Sequence, residues 1–272
     1  MLKLTLLLSL VSFSLSAQTI DRVISLAPST TELAYAAGLG DKLVAVSEHS
    51  DYPEQAQKLE KIANYQSINV ERIIALQPDL IIAWPGGNPA KELAKLAQFG
   101  FTIYNAQTGS LDDIAVNIEQ LSHYADDPTI GQKAAAQFRA QLEQFKAQYN
   151  TEQTVSYFYQ LSEKPIITVA QDRWPSEVFR FCGGINVFED SAAPYPQVGL
   201  EQVIVANPQV IFTSRHAMEN GNMWQAWQEQ LQAIKQQQIW TLNASWINRP
   251  TPRTLDAINQ VCELFETVRQ KQ

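Results

Sequence analysis

Five aromatic residues stand in stretches whose neighbours are those of loops: Tyr52 after Asp51, Tyr65 among Asn64, Gln66 and Ser67, Trp84 leading into Pro85-Gly86-Gly87-Asn88, Tyr195 between Pro194 and Pro196, and Trp246 after Ser245. A π-face held on a loop works by stacking, so these residues offer walls for a flat, largely apolar ligand and no bond-making machinery. Arg249 adds a planar fork of donors suited to carbonyl or phosphate oxygens at a ligand's rim. The residue types that make and break bonds are thin by comparison. There is no Gly-x-Ser-x-Gly elbow, no His-Glu-x-x-His and no Gly-x-x-x-x-Gly-Lys phosphate loop, and Gly38-Leu39-Gly40 closes a helix instead of opening one. His49, His123 and His216 are scattered. His49 beside Asp51 has the look of a base or metal ligand, but a lone loop histidine ordinarily is neither, so no catalytic residue and no metal site is expected. Trp174 is a weaker wall candidate that equally suits packing on the helix after it, and Trp224, Trp227 and Trp240 are assigned to packing.

The elements that must position these rings are announced by a repeat. Asn69-Val70-Glu71-Arg72, running on through Pro78 to Ile82, returns about 130 residues later as Gly199-Leu200-Glu201-Gln202, running on through Pro208 to Phe212. Each copy reads as a short amphipathic helix stopped at a proline, then a β-branched run suited to a buried strand. Two similar α/β lobes follow, with a ligand crevice between them. Glu71 and Glu201 occupy equivalent points, one carboxylate per lobe at matched height.

Along the first lobe, Val23 to Ala27 reads as a strand, Ser29-Thr30-Thr31-Glu32 has the spacing of a capping box, and Gly38 closes the helix. Strands at 44–47, 80–83 and 101–104 and a helix over 89–99 complete a βα alternation that implies a mostly parallel sheet. From Pro128 to about Tyr149, Ala135, Phe138, Leu142 and Phe145 share one face with no internal proline, which predicts a single stiff connecting helix. The second lobe restarts at 155–161 and ends in a helix over about 251–269. In parallel sheets the crevice lies beyond the carboxyl ends of the strands, where Trp84 and Trp246 are placed.

The opening residues carry a cationic start at Lys3, an apolar run from Leu4 to Leu15 too short to span a bilayer, and small residues at Ser14-Leu15-Ser16-Ala17, which read as a cleaved secretory signal ending at Ser16 or Ala17. The expected division is therefore signal 1–17, N-terminal lobe 18–125, connecting helix 126–150 and C-terminal lobe 151–272. The formal charge of −8 becomes more negative still with the loss of Lys3. An acidic exported chain without a basic block argues against nucleic acid or anionic lipid as partner, and no later stretch reads as a membrane span. Cys182 and Cys262 are the two cysteines. In an oxidising compartment they are most simply one disulfide, with two buried free thiols as the alternative.

Ser50-Asp51-Tyr52-Pro53, Asn69-Val70-Glu71-Arg72, Pro78 to Trp84, Gly86-Gly87-Asn88, Cys182-Gly183-Gly184-Ile185-Asn186, Pro194 to Val198 and Ser245-Trp246-Ile247-Asn248-Arg249 together resemble the periplasmic cobalamin-binding proteins that feed cobalamin ABC importers. The likeness covers nearly the whole mature chain. It implies two α/β lobes bridged by one helix that move little on binding. It implies cobalamin stacked against Tyr52, Tyr65, Trp84, Tyr195 and Trp246, with Ser245 and Arg249 at the rim. A corrin is a broad plate edged with amides, which suits rigid rings and a few polar rim groups. Glu71 and Glu201 are implied to meet arginines of a twofold-symmetric permease, part of a permease and ATPase complex. A periplasmic monomer is expected, with no resident cofactor and no membrane insertion. Tyr65 and Tyr195 stand where better-known members carry tryptophan, and Ser245 where they carry aspartate, which keeps the π-faces, adds hydroxyls and removes an acid. Relatives of this architecture carry haem or ferric siderophores, so haem, with His49 and Tyr52 as iron ligands, is the nearer alternative. An exported hydrolase is the alternative of another class.

Overall fold

A computed structural model describes residues 20–170, 173–214 and 221–271 of the protein. The expected signal sequence and His216 lie outside the described residues.

The first lobe is a five-stranded parallel sheet in the order β3-β2-β1-β4-β5, from Val23–Ser25 (β1), Leu43–Ser47 (β2), Glu60–Ala63 (β3), Leu80–Ala83 (β4) and Ile103–Asn105 (β5). Its helices are Pro28–Ala36 (α1), Val70–Leu76 (α2), Ala90–Gln98 (α3) and Asp112–Ser122 (α4). Pro128–Gln148 (α5) then runs as one helix into the second lobe.

There Val155–Gln160 (β6), Gly184–Asn186 (β9), Val210–Thr213 (β10) and Ile239–Thr241 (β11) form a parallel sheet in the order β11-β10-β6-β9. Ser162–Glu163 (β7) and Ile166–Ile167 (β8) pair as a small hairpin. Ser176–Phe181 (α6), Leu200–Ala206 (α7), Gln232–Lys235 (α8), Ala244–Ile247 (α9) and Thr254–Arg269 (α10) surround this sheet. With β6 matched to β1, β9 to β2, β10 to β4 and β11 to β5, the second sheet repeats the order of the first.

The duplicated segment is duplicated in three dimensions. In α2 and α7 the residue before the proline, Gln77 in one and Asn207 in the other, takes the left-handed conformation, with φ of 47° and 42°. That residue ends the helix, and the proline after it prevents continuation. The strands that follow are buried on both faces and alternate between two packing layers: Leu80 and Ile82 face one, Ile81 and Ala83 the other, and in β10 Val210 and Phe212 oppose Ile211. Period-two alternation under a helix layer on each side is what a central parallel strand requires.

One packing layer is shared by the lobes. It contains Val23, Leu80 and Ile118 from the first, Ala135 and Phe138 of α5, and Tyr157, Phe212 and Phe265 from the second. The connecting helix packs along α4 and also touches α1 and α10, so it is a spine against both lobes. Cys182 and Cys262 form a disulfide that ties the end of α6 to the middle of α10.

Two local expectations are corrected. Ser29 does not cap α1: the cap lies two residues earlier at Ala27, the helix begins at Pro28, and the Thr30 hydroxyl accepts from the Ala27 amide (3.0 Å). Glu32 is thereby freed from the helix start and lies buried in the body of α1. The strand expected over 101–104 is displaced to 103–105, because the Gly100 amide bonds to Ala97 O and the Phe101 amide to Leu96 O, closing α3 with Gly100 at φ +85°.

Candidate functional site

The loops at the carboxyl ends of the two sheets face one another, and the first lobe presents Trp84 directly after β4. The ring is fixed by its own short loop. Asn88 accepts from the Trp84 amide (2.7 Å) and donates through Nδ2 to Leu26 O (2.8 Å), stapling the end of β4 to the end of β1. Between those two strands the chain order reverses direction across the sheet, the usual place for a ligand crevice. Gly86 and Gly87 wrap the indole closely: a Cβ on Gly87 would sit 2.2 Å from the ring, and one on Gly86 2.8 Å from its Nε1. Among the described residues the buried Trp84 Nε1 has no hydrogen-bond partner.

From the opposite lobe comes Tyr195. Its segment is held straight by hydrogen bonds from the Thr168 amide to Pro196 O (3.1 Å) and from the Ala170 amide to Pro194 O (3.0 Å). Trp84, Gly86, Thr108 and Gly109 of the first lobe and Arg173, Trp174, Pro194 and Tyr195 of the second line one hollow of about 440 Å³. Burial pushes the Tyr195 phenol above its ordinary value of 10.0, with the Arg173 charge acting in opposition. Trp174, the weaker candidate of the sequence, also lines this hollow: its ring is nearly buried, and its Nε1 donates to Ile247 O (2.8 Å), which ties it to α9.

The remaining rings are distributed differently. Tyr52 is 48% exposed, and the guanidinium of Arg253 lies over its ring, 4.1 Å from the centroid. Tyr65 is 79% exposed, on a turn in which Asn64 Oδ1 accepts from the amides of Gln66 and Ser67. Ser245 and Trp246 lie in α9, capped by Asn243. The Trp246 ring is half-buried against the shared core, outside the lining of the 440 Å³ hollow.

Arg249 is not a free rim donor. Its Nη1 bonds to Asp51 (2.6 Å) and approaches Glu32 (3.3 Å), and its Nη2 donates to His49 O (3.1 Å). Four residues on, Arg253 grips both oxygens of Glu32 (2.9 and 2.5 Å). Glu32 is 3% exposed, so two arginines of one lobe converge on a buried carboxylate of the other. Partial burial acts to raise the Asp51 carboxyl, but the hydrogen bond and charge of Arg249 outweigh it and hold the group below its usual 3.8. The loop bearing Asp51 is seated by buried hydroxyls: Ser25 to Thr31 (2.8 Å), Thr31 to Ser50 (2.9 Å) and Ser50 to Ser47 (3.0 Å). The sequence signal for this network was weak. Glu32 reads as a helix cap, and its partners are 217 and 221 positions away.

Glu71 and Glu201 each occupy the first turn of their helix, at the second residue, and both are exposed. Glu71 lies 4.0 Å from Lys95, a loose surface pair. Among the described residues no group of three or more His, Cys, Asp and Glu side chains is placed to hold a metal ion, and no helix is long and apolar enough to cross a membrane.

Residues 23–245 match the family model described as periplasmic binding protein. The chain is 67% identical over 251 residues to the vitamin B12-binding protein of Vibrio campbellii, covering 92% of this chain and 91% of that protein. Its structure superposes on the crystal structure of the periplasmic vitamin B12-binding protein of Vibrio cholerae with a TM-score of 0.91 at 64% identity, over 93% of this chain and 99% of the other. A periplasmic haem-binding protein from Roseiflexus has the same fold, with a TM-score of 0.80, but only 22% identity over 92% of this chain and 99% of that one.

Proposed function

Since this chain belongs to the periplasmic binding protein family, we propose that it captures vitamin B12 between its lobes and delivers it to an ABC importer in the inner membrane. It is a binding protein and not an enzyme. The observation that carries the ligand reading is the pairing of Trp84 and Tyr195, from opposite lobes, across one hollow backed by Trp174. Opposed rings suit a flat macrocycle because each face is stacked while the polar edge stays at the rim.

Tyr52, Tyr65 and Trp246 are assigned as further ring contacts around this centre, and Ser245 as a rim group. Arg249 is assigned to holding the Asp51-Tyr52 loop against the second lobe, with any contact to the vitamin's amides secondary to that. Glu71 and Glu201 are assigned to docking on paired arginines of the importer's permease, where charge-assisted bidentate bonds set orientation and encounter rate. The vitamin is cargo, not a resident cofactor. Residues 1–17 are assigned as the export signal, cleaved after Ser16 or Ala17, and the mature protein as a monomer with lobes 18–125 and 151–272 about the helix at 126–150.

Titration of the purified protein with cyanocobalamin is expected to give saturable heat and quenching of tryptophan fluorescence. Trp84→Ala should weaken both by at least tenfold. Absence of a saturable signal from the wild type would remove the assignment. An absorption spectrum of protein taken from cells grown with the vitamin separates a corrinoid from haem.

A further inference from the structure

Arg253 stands at the start of α10 in the second lobe, yet its guanidinium serves the first. Two of its nitrogens are fixed on the two oxygens of buried Glu32, and its plane lies over the Tyr52 ring at 4.1 Å. Bidentate pairing leaves a guanidinium no rotational freedom about its own plane, and Glu32 is in turn locked within α1. Tyr52 lies on an exposed loop, and a ring there is free to change rotamer unless something holds it. The cation over its face supplies that hold. Glu32, Tyr35, Tyr52, Pro53, Pro252 and Arg253, from both lobes, enclose a mainly apolar hollow of about 280 Å³, so the stacked pair is partly shielded from water, which strengthens it.

We propose that Arg253 is a positioning residue of the ligand site: anchored across the lobe junction by Glu32, it holds the Tyr52 ring in the orientation in which the ligand meets it. This rests on the reading of Tyr52 as a ligand wall. A ring already held loses less freedom on binding, and that gain appears as affinity.

The test has a ligand-free arm and a ligand arm. In protein labelled with 13C-tyrosine, the Tyr52 ring resonance is identified by its disappearance in Tyr52→Phe. Arg253→Met is expected to shift or broaden it in the free protein. Cyanocobalamin affinity, by calorimetry, is expected to fall roughly three- to tenfold on Arg253→Met with Tyr52 present. On a Tyr52→Ala background the same change should alter affinity by less than about twofold. Thermal melting should fall on Arg253→Met in both backgrounds, because Glu32 loses its bidentate partner in each and keeps only the longer contact to Arg249. An unmoved Tyr52 resonance, or an equal loss of affinity in both backgrounds, overturns the proposal. Failure of the wild type to bind cyanocobalamin would instead count against the ligand reading, and the resonance arm would still decide whether Arg253 holds the ring.

Discussion

At Gly87 a Cβ would stand 2.2 Å from one carbon of the Trp84 indole and 2.4 Å from another, closer than any real contact, although the backbone there needs no left-handed φ. The constraint at this position is therefore the ring and not the turn. Gly87→Ala is expected to push the indole off its wall and weaken cyanocobalamin binding by at least tenfold, with a loss of stability of only about 1 kcal/mol, because the ring is half-buried and can swing outward. On a Trp84→Ala background it should cost no further affinity, and calorimetry of the four proteins reads both outcomes. Trp84 was legible in the sequence because a tryptophan after a β-branched run and before Gly-Gly has few structural uses. Glu32 was not. A carboxylate three residues after a serine at a helix start has the spacing of a cap, and nothing local says that Pro28 moves the start back two residues or that Arg249 and Arg253 lie across the junction. Trp174 was half legible: it belongs to the core cluster that contains Val178 and Phe179 of the helix after it, and it also lines the hollow.

At the scale of elements, the repeat conveyed more than any single motif, because helix, stop and strand recur as one unit. α2 and α7 each start one residue before a glutamate and end at a left-handed residue before proline, so Glu71 and Glu201 project from matched first turns. A first-turn carboxylate also faces the positive end of its helix, a favourable place for it, but worth only about 0.3–1 kcal/mol when exposed. Neither glutamate holds the fold together. Glu71→Ala combined with Glu201→Ala is therefore expected to leave cyanocobalamin affinity unchanged and the melting temperature within about 3 °C, while lowering stimulation of the importer's ATPase in reconstituted vesicles by at least tenfold. Loss of vitamin binding in the double variant would show that these helices serve the cleft instead. The strand edges were less legible. The α3–β5 junction moved because Phe101, apolar enough for a strand, is used to close the helix over Gly100, and a hydrophobic residue after a capping glycine serves either purpose equally well in sequence.

For the whole molecule the question is how far the lobes can separate. Linked domains move unless their interface is large and apolar. Here a single packing layer runs from Val23 through Phe138 of α5 to Phe265, so opening the lobes along that side would expose core. Arg253 and Arg249 also grip Glu32 across the junction, so parting the lobes would break charge-assisted bonds to a carboxylate that is 3% exposed. Separation of the lobes is therefore opposed twice, by the shared core and by the ion pairs. The cleft should then admit its ligand with the lobes almost in place, the rings of Trp84 and Tyr195 already set apart. Small-angle scattering with and without saturating cyanocobalamin is expected to show a radius of gyration near 18 Å that changes by less than about 0.5 Å. Glu32→Ala removes one restraint while leaving the shared core, so its free form should expand measurably more than the wild type and contract on binding. A wild-type contraction well above 1 Å would mean that the ion pairs across the junction form only on closure, and that the lobes close as a hinge.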